Sequence, residues 1–458
     1  MTLYFRDAVE LAAAIRRKEV SCREVLDAHL QRIDDTNSAV NAVVTLVAEQ
    51  ARASADEADH RVATGAELGP LHGLPIAHKD LVDTAGILTT YGSPVFAKHV
   101  PIRDDPIVQR MRAAGAITIG KTNTPELGLG SHTFNPVFGL TRNPYDLTKS
   151  AGGSSGGAAA ALTTGMAPLA DGSDTGGSLR NPASFCNVVG LRPSSGRVPS
   201  STAPPPWPSL STKGPMGRTV SDTALLMSVL AAGGDEFTLP LDVDTRDLRL
   251  AWAPDFGGLV PVEPAVTEAL EPAVRQLEQA SATVVRDCPD LSTADEVFRV
   301  RRAWQLERAH GDLLDRHHEQ LKPDAVWNIE QGRKLTDADI DRADRSYATL
   351  LQRVREFFGR YDALLAPVSQ VVPFDAGLVY PTSVAGVEMP DYLAWMGACS
   401  LVSATGCPAL SVPAAFTPEG LPVGLQVVTA PGNDRAALEI GHAIEQVCPA
   451  GRRRPPDL

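Results

Sequence analysis

Residues 150–180 read SAGGSSGGAAAALTTGMAPLADGSDTGGSLR, and eight of these 31 residues are glycine. The glycines concentrate in two clusters, at 152–157 and 172–178, and the alanine-rich run between the clusters favours a helix. A pair of flexible linkers would need neither this helix nor charged residues such as Asp174 and Arg180 in a tight, small-residue backbone. Glycines that flank serines instead let backbone amides approach a ligand closely, as an oxyanion hole requires.

Outside this block, short apolar runs alternate with helical stretches. The runs at 74–77 and 116–119 have the composition of strands and are bounded by glycine, proline and asparagine. Strand-like sequence returns at 363–367 and 420–428. Because strands that alternate with helices are typical of a sheet covered by helices, the sequence predicts an α/β fold.

The composition is that of a globular protein and argues against several classes of function. The chain has 458 residues, and its 42 basic and 55 acidic side chains give a net charge of -13. This charge opposes a phosphate-binding surface, so we do not expect nucleic acid as a partner. The six cysteines form no C-x-x-C pair, which indicates reduced thiols rather than a zinc site or a disulfide framework.

No membrane segment is expected from the sequence. No stretch reaches the ~18 apolar residues of a membrane-spanning helix, and the first residues lack a basic region followed by an apolar run. We therefore expect a cytoplasmic protein.

A first competing motif is GAITIGKT at 115–122, which satisfies the phosphate-loop pattern G-x-x-x-x-G-K-[ST]. The four residues between its glycines are typical of a stiff strand, whereas a phosphate loop needs a flexible backbone whose amides surround phosphate. The motif is followed by Asn123-Thr124-Pro125 instead of the start of a helix. We expect a strand here, and a nucleotide hydrolase is the less favoured alternative.

A second competing motif is GGSSG at 152–156, which matches the G-x-S-x-G nucleophile elbow of α/β-hydrolases and would make Ser154 the nucleophile. An elbow follows a buried strand. Residues 142–150 have the composition of a turn, so this alternative is also less favoured.

Five segments together resemble the amidase signature family of serine hydrolases. The resemblance covers most of the chain and is weakest at 230–360. The segments are LPIAHKD at 74–80, the block at 150–180, NPASFCNVVGLRP at 181–193, GPMGRTVSD at 214–222 and, less strictly, residues 420–426.

The resemblance implies a single α/β domain that spans residues 1–458. Its core would lie at about 70–225. Residues 295–360 are charge-rich and have a helical pattern without a continuous core stripe, so we expect a helical insertion on the surface there. The central twisted sheet of the family is mixed or mostly parallel, and helices cover both of its faces.

The catalytic triad of the family is serine, cis-serine and lysine. By the resemblance, Ser178 is the nucleophile that becomes acylated, Ser154 is the serine after a cis peptide that relays the proton, and Lys79 is the base. The implied mechanism needs no metal and no cofactor. The implied oxyanion hole consists of the backbone amides of Thr175, Gly176, Gly177 and Ser178.

Lys79 can act as a base only if folding lowers its pKa. A lysine with a pKa of ~10.4 is neutral in about one molecule in 2,500 at pH 7, a handicap of ~4.6 kcal/mol. Burial without a carboxylate partner favours the neutral amine. Because Lys79 lies between apolar segments, we expect it to be buried, with the neighbouring Asp80 directed away from it.

The segment GLGSHTF at 128–134 occupies the acyl-pocket region of the family. We expect Gly128, Gly130 and Ser131 to contact substrate, and the segment has no arginine or lysine that would bind a carboxylate. We therefore expect a hydrolase that cleaves the C–N bond of neutral, partly apolar aryl or alkyl amides. Esters, anilides and carbamates are further expected substrates.

Other features leave alternatives open. The family also contains the catalytic subunit of tRNA-dependent amidotransferases, which works with a partner chain, and a homodimer would suit the family as well. We expect His78 and His132 to pack or to line a pocket rather than to catalyse. The run PPPWP at 204–208 predicts a stiff loop, either a linker or a wall of the binding cleft.

Overall fold

The computed structural model describes residues 2–199 and 209–456. Within these residues, seventeen strands form, and eleven of them make one central sheet. The strands are β1 (Val43–Leu46), β2 (Pro75–Lys79), β3 (Ile117–Thr122), β4 (Phe134–Asn135), β5 (Gly139–Leu140), β6 (Arg142–Asn143), β7 (Asp146–Ser150), β8 (Leu169–Asp174), β9 (Val189–Arg192), β10 (Thr212–Gly217), β11 (Arg249–Trp252), β12 (Thr283–Arg286), β13 (Ala363–Pro367), β14 (Ser383–Val384), β15 (Val387–Glu388), β16 (Ala409–Phe416) and β17 (Pro422–Val428).

Thirteen α-helices are found in the described part of the chain. Local sequence fixes several of their starts: Ser21 and Glu24 cap each other's backbone at the start of α2, with the Glu24 carboxylate accepting from the Ser21 amide at 2.8 Å. The helices are α1 (Ala8–Arg16), α2 (Cys22–Val40), α3 (Ala48–Thr64), α4 (Pro106–Ala113), α5 (Gly156–Thr164), α6 (Arg180–Phe185), α7 (Val220–Leu230), α8 (Pro264–Gln279), α9 (Ala294–His317), α10 (Pro323–Arg333), α11 (Asp337–Phe358), α12 (Gly397–Thr405) and α13 (Asp434–Val447).

The central sheet is mixed, and its strand order is β1-β3-β2-β8-β10-β9-β16-β17-β13-β11-β12. The expected mixed sheet is confirmed, although six of its ten neighbouring pairs are antiparallel and four are parallel. The pairs β3-β2 and β2-β8 are parallel. Because parallel strands end at the same edge of a sheet, Lys79 at the end of β2 lies near Asp174 at the end of β8.

Helices cover both faces of the sheet, as expected. Along β13, Ala363 and Leu365 pack into one hydrophobic cluster, whereas Leu364 and Ala366 pack into another. The first cluster includes side chains of α1, α2, α8 and α13, and the second includes side chains of α9, α11 and α12. Since successive side chains of a strand point to opposite faces, both faces of the sheet are buried under helices.

The charge-rich segment at about 295–360 forms α9, α10 and α11, as the helical prediction requires. A surface position is not found, however, because Phe298 of α9 is 1% exposed and Leu350 and Val354 of α11 are buried in the second cluster. Many charged side chains surround these apolar positions in the sequence and obscure the buried stripe. The segment packs on the body of the protein and contributes a wall of its main cleft.

The structure shows which elements the two competing motifs belong to. Residues 117–122 form β3 inside the central sheet, so the expected strand is confirmed. Residues 142–150 contain a turn at 144–145, as expected, but the residues around it form the two-stranded hairpin β6-β7, which is separate from the central sheet. Leu147 in β7 is 37% exposed, so the strand before Ser154 differs from the buried strand of a nucleophile elbow.

The first turn of α5 lies directly on the exit of β3. Gly157 approaches the backbone so closely that a Cβ there would lie 2.3 Å from the amide nitrogen of Asn123 and 2.7 Å from the carbonyl oxygen of Ala42. Only glycine permits this contact. The contact fixes the loop at 152–156 against the sheet.

The proline-rich run at 204–208 lies outside the described residues. Across residues 2–199 and 209–456, no helix combines the length and the apolar character needed to cross a membrane. All six cysteines fall within these residues, and none of them forms a disulfide.

Candidate active site

The candidate site is built on the parallel pair β2-β8, in which Ala77 lies opposite Ala170. Side chains alternate along β8, so Asp171 and Ser173 point to the same face of the sheet. Lys79, the last residue of β2, contacts both of them through its backbone or its side chain. The register of the two strands therefore places the lysine beside the glycine-rich end of β8.

The Lys79 side chain is fully buried, and its amine contacts three serine hydroxyls. Nζ lies 2.8 Å from Ser154 Oγ, 2.9 Å from Ser155 Oγ and 3.2 Å from Ser173 Oγ. An ammonium group has three N–H donors, whereas a neutral amine has two donors and one lone pair. The three hydroxyls therefore suit both states, because in the neutral state two of them accept and the third donates.

The carboxylates nearest to Lys79 in sequence or in space have other partners. Asp80 accepts hydrogen bonds from the amide and the hydroxyl of Thr90, at 3.1 and 2.5 Å, so it is directed away from the lysine as expected. Asp171 Oδ1 accepts from His78 Nδ1 at 2.8 Å, and its Oδ2 accepts from the Lys79 backbone amide at 3.3 Å. In the described part of the chain, Lys79 Nζ forms no ion pair.

Burial therefore dominates the ionisation of this lysine. It lowers the pKa of Lys79 to about 7, although the negative charges of Asp174 and Asp171 oppose the change. With this pKa about half of the molecules carry a neutral amine at pH 7, against about one in 2,500 for an ordinary lysine. The structure thus removes most of the handicap that a lysine base has at neutral pH.

Asp174 is the centre of a buried ionic network. Its two carboxylate oxygens accept from Nε and Nη2 of Arg180, each at 3.0 Å, and Arg192 Nη1 lies 3.4 Å from Oδ1. Burial opposes ionisation, but the guanidinium groups of Arg180 and Arg192 hold the pKa of Asp174 well below its usual range. Arg180 also donates to Gln426 Oε1 at 2.6 Å and to Ser403 Oγ at 2.7 Å. The network ties the end of β8 to β17 and α12.

The same carboxylate shapes the loop at 175–178, which follows β8. The Gly177 amide donates to Asp174 Oδ1 at 2.7 Å, so this amide is not available to a ligand. Gly177 has a φ of +124°, which favours glycine, and a Cβ there would lie 2.7 Å from Cys399 Cβ. Of the four amides expected to form an oxyanion hole, that of Gly177 therefore has a partner within the protein.

Ser154 and Ser178 both line the main cleft, at 2% and 8% exposure. Their segments are in direct contact, because the Ser155 amide donates to the carbonyl oxygen of Ser178 at 3.1 Å. The Gly153–Ser154 peptide bond is cis, as the resemblance implied. The structure thus brings Lys79, Ser154 and Ser178 together at the floor of the cleft.

The segment at 128–134 supports this floor. Ser131 Oγ donates to the carbonyl oxygen of Gly153 at 2.7 Å, and Ser131 is 3% exposed. Its hydroxyl therefore holds the loop that carries Ser154, and Ser131 also lines a small niche. Gly128 and Gly130 line the cleft, and the substrate contact expected of all three residues stays a prediction.

The cleft has a volume of about 1290 Å³ and walls of different character. One wall is largely apolar, and α9 supplies polar and charged groups to another. The apolar wall contains Leu81, Val82, Tyr91, Phe96 and Leu127, and α9 contributes Arg302, Gln305, Leu306, Arg308, Ala309 and His310.

Cations from elsewhere in the chain lie at the segment 128–134 and in the cleft. Lys322 Nζ donates to the carbonyl oxygen of Leu129 at 2.5 Å, and Arg302 lines the cleft from α9. The expected absence of arginine and lysine therefore holds for the segment but not for the folded cleft. Only the tertiary structure brings these distant residues to it.

Neither histidine near the motifs is placed for catalysis. His132 Nε2 donates to the carbonyl oxygen of Ala376 at 3.1 Å and Nδ1 accepts from Ser150 Oγ at 2.7 Å, while burial lowers its pKa to about 4. His78 is fully buried and pairs with Asp171. Both histidines orient neighbouring backbone and carboxylate groups.

Lys121, the lysine of the phosphate-loop pattern, is also fully buried. It donates to the carbonyl oxygen of Val82 and, at 3.0 Å, to Thr84 Oγ1, and burial lowers its pKa to about 8. Its donors serve a carbonyl and a hydroxyl group of the protein itself. The arrangement does not form a phosphate loop.

Ser155 and Ser173 contact Lys79 but were not predicted to do so from the sequence. Both residues adjoin residues that were singled out there, Ser154 and Asp174. The alternation of side chains along β8 is the signal that was present for Ser173, because it shares a face with Asp171.

Comparison with known proteins gives a consistent result. The family model for amidases matches residues 24–438. The chain is 33% identical to an acylamidase of Rhodococcus erythropolis, over 99% of this chain and 98% of that protein. It is 35% identical to a subunit of the glutamyl-tRNA(Gln) amidotransferase of Moorella thermoacetica, over 99% of each chain. The structure of a bacterial aryl acylamidase of the amidase signature enzymes superposes with a TM-score of 0.90 at 26% identity, over 99% of this chain and 98% of that one.

Arg180→Met tests the buried network. The substitution leaves Asp174 buried with Arg192 as its remaining cation, so we expect the free energy of unfolding to fall by about 3 kcal/mol or more in urea denaturation. Arg246→Met is the control, since it breaks a solvent-exposed pair with Asp244 and should leave the unfolding curve unchanged. Equal stability of the two variants would contradict the role assigned to Arg180.

Proposed function

The chain belongs to the amidase family, whose amidase signature enzymes act on C–N bonds, and we propose that it is a serine hydrolase that cleaves partly apolar aryl or alkyl amides. The observation that carries the proposal is the buried Lys79 amine, 2.8 Å from Ser154 Oγ on the floor of a cleft that Ser178 also lines. A lysine with a pKa of about 7 accepts a proton at neutral pH.

In the proposed acylation step, Ser178 Oγ attacks the carbonyl carbon of the amide. The Ser178 proton passes to Ser154 Oγ while the Ser154 proton passes to the lone pair of Lys79 Nζ. The two remaining N–H groups of the neutral amine donate to Ser155 and Ser173, which directs the lone pair at Ser154. The proton therefore passes through Ser154 alone, and the other two hydroxyls orient the amine.

The negative oxygen that forms in this step accepts hydrogen bonds from the amides of Thr175, Gly176 and Ser178, each worth about 3 kcal/mol in sites of this kind. The proton on Lys79 then returns through Ser154 to the leaving nitrogen, and the C–N bond breaks. Water attacks the resulting Ser178 ester and gives a proton to the same relay. The bond between the acyl carbon and Ser178 Oγ then breaks, the relay returns the proton to Ser178 Oγ, and the carboxylic acid leaves.

The cleft supports an apolar leaving group, because Leu81, Tyr91 and Phe96 line one of its walls. The similarity to the aryl acylamidase structure supports the same choice. A Ser-Ser-Lys site also acylates on esters, anilides and carbamates, which we include as substrates. Lys322 borders the acyl region, so we propose that the leaving group is uncharged and do not extend this proposal to the acyl group. The six unpaired thiols support a cytoplasmic location.

A second candidate function is the catalytic component of a tRNA-dependent amidotransferase. It is favoured by the 35% identity to the Moorella thermoacetica protein over 99% of both chains. In that case the chain would work with a partner chain, and ATP would be bound elsewhere.

The purified chain alone distinguishes these candidates. Because a hydrolase needs only water, we expect the isolated chain to release p-nitroaniline from a simple anilide, at a rate that ATP and tRNA leave unchanged. The Ser178→Ala variant lacks the proposed nucleophile and gives the background rate. Turnover that appears only with a partner chain, ATP and tRNA would establish the second candidate.

The pH dependence of kcat/KM tests the lysine base. Folding lowers the pKa of Lys79, so the ammonium form predominates below about pH 7 and the neutral base above it. We expect kcat/KM to rise about tenfold per pH unit below this value and to level off above it. A profile governed by an ionisation near pH 4, where His132 titrates, would show that the base is not Lys79.

Labelling with a fluorophosphonate tests the assignment of the two serines. We expect the label on the peptide that contains Ser178 and no label in Ser178→Ala. Ser154→Ala should keep the label on Ser178 but react about 100-fold or more slowly, because the relay is lost. Ser155→Ala is the neighbouring control and should slow labelling far less, and label found on Ser154 would overturn the assignment.

A further inference from the structure

Asp171 is a fully buried carboxylate beside the proposed base, and the proposed proton relay does not pass through it. It lies in β8 next to His78 of β2, since the preceding residues Ala77 and Ala170 are paired in the parallel register. Its Oδ1 accepts from His78 Nδ1 at 2.8 Å, and its Oδ2 accepts from the Lys79 amide at 3.3 Å. Among the described residues, no other group donates to this carboxylate.

The His78 ring is held at both of its nitrogens. Nδ1 donates to Asp171, because an ionised carboxylate only accepts, and Nε2 lies 3.1 Å from Thr118 Oγ1 of β3. The ring therefore fixes the carboxylate against the backbone of β2. In this position the carboxylate stays off Lys79 Nζ, whose partners among the described residues are serine hydroxyls.

The negative charge of Asp171 thus acts on Lys79 without contact. Burial lowers the pKa of Lys79 to about 7, against the charges of Asp174 and Asp171. Burial alone can bring the pKa of a lysine down to ~5–6, and an amine with so low a pKa is a poor proton acceptor at neutral pH. Asp174 is paired with Arg180 and Arg192, whereas no arginine pairs with Asp171.

The other ionisable groups on the elements packed around this pair have their own partners. Lys121 lies opposite His78 in the register of β3 with β2, and its amine donates to groups of Val82 and Thr84. Helix α5, which packs on β2, β3 and β8, carries no charged side chain. The remaining pairs are Asp80 with Thr90, Lys213 of β10 with Asp105, Arg180 of α6 with Asp174, His29 and Arg32 of α2 with Val25 and Thr164, and Asp222 of α7 with Val9. A change at Asp171 therefore leaves these pairs intact.

We propose that Asp171, held in place by His78, is a positioning residue that keeps Lys79 basic enough to take the proton of Ser154. The proposal rests on the proposed hydrolase function. The carboxylate is close enough to favour the ammonium form, but the histidine prevents the direct ion pair that would hold the amine permanently charged. The pair His78–Asp171 thus brings the base to a strength that suits neutral pH.

Asp171→Asn removes the charge and keeps the shape of the side chain. Because the ammonium form of Lys79 loses a favourable interaction, we expect the acid limb of the kcat/KM profile to move down by about one pH unit. The weaker base should lower the plateau by about threefold, so that the variant is faster than the native protein at about pH 5. Asp222→Asn is the matched control, since Asp222 is equally buried but bonds to the Val9 amide of α1, and it should leave the limb in place.

Substitutions of His78 test how the carboxylate is held. His78→Leu removes the donor and frees Asp171 to pair with Lys79 Nζ, so we expect the limb to move up by about one to two pH units. His78→Asn keeps an N–H donor at about the position of Nδ1 and should return the limb close to its native place.

The double variant His78→Leu/Asp171→Asn tests whether the histidine acts through the carboxylate. With no carboxylate left to pair with Lys79, its limb should coincide with that of Asp171→Asn. An unshifted limb in Asp171→Asn, or an upward shift that persists in the double variant, would overturn the proposal. A purely structural role would lower the Tm or the rate without moving the limb in opposite directions, and that result would overturn it as well.

Fluorophosphonate labelling separates this proposal from the proposed function. The rate at which Ser178 is labelled, measured against pH, gives the same limb without any amide substrate. The expected shifts of this limb support the role of Asp171 even if the protein cleaves no anilide, a result that would reject only the proposed function. A labelling limb that no variant shifts would overturn the role of Asp171.

Discussion

The amine of Lys79 is fully buried, and three serine hydroxyls contact it in place of a carboxylate. This arrangement is costly to build in an acidic protein, because several carboxylates lie near the lysine. The structure avoids an ion pair by giving each carboxylate other partners: Thr90 for Asp80 and His78 for Asp171. The lysine therefore keeps a low pKa, and the proposed chemistry depends on that pKa.

The ionic network of Asp174 also helps to keep Lys79 neutral. It holds a full negative charge close to the lysine but neutralises it with Arg180 and Arg192, so Lys79 is not forced into the charged form. The same carboxylate accepts from the Gly177 amide and fixes the loop whose other residues line the cleft. Through Gln426, the network also connects the loop to β17, far along the chain. Asp174 thus holds the loop in place, and its pairing with two arginines limits the negative charge that acts on Lys79.

Much of the fold follows from local sequence, whereas the centre of the site was expected from the resemblance to a known family. Alternating apolar runs predicted the α/β sheet, the stiff residues before Lys121 predicted β3, and the resemblance pointed to Lys79 and both serines. What sequence could not show depends on tertiary contacts. The Gly177 amide turns to Asp174 because of the loop conformation, and Arg302 reaches the cleft because α9 packs on the sheet, although its charged neighbours suggested a surface helix.

The most direct test is the titration of Lys79 itself, followed through its ¹³Cε resonance in lysine-labelled protein. The resonance is identified by its absence in Lys79→Met. We predict a single titration near pH 7, and the same value in Ser178→Ala, because burial rather than the nucleophile sets the pKa. A Lys79 resonance that titrates near ~10.4, as in an ordinary lysine, would contradict the proposed role of Lys79 as the base, since the amine would then remain charged at neutral pH.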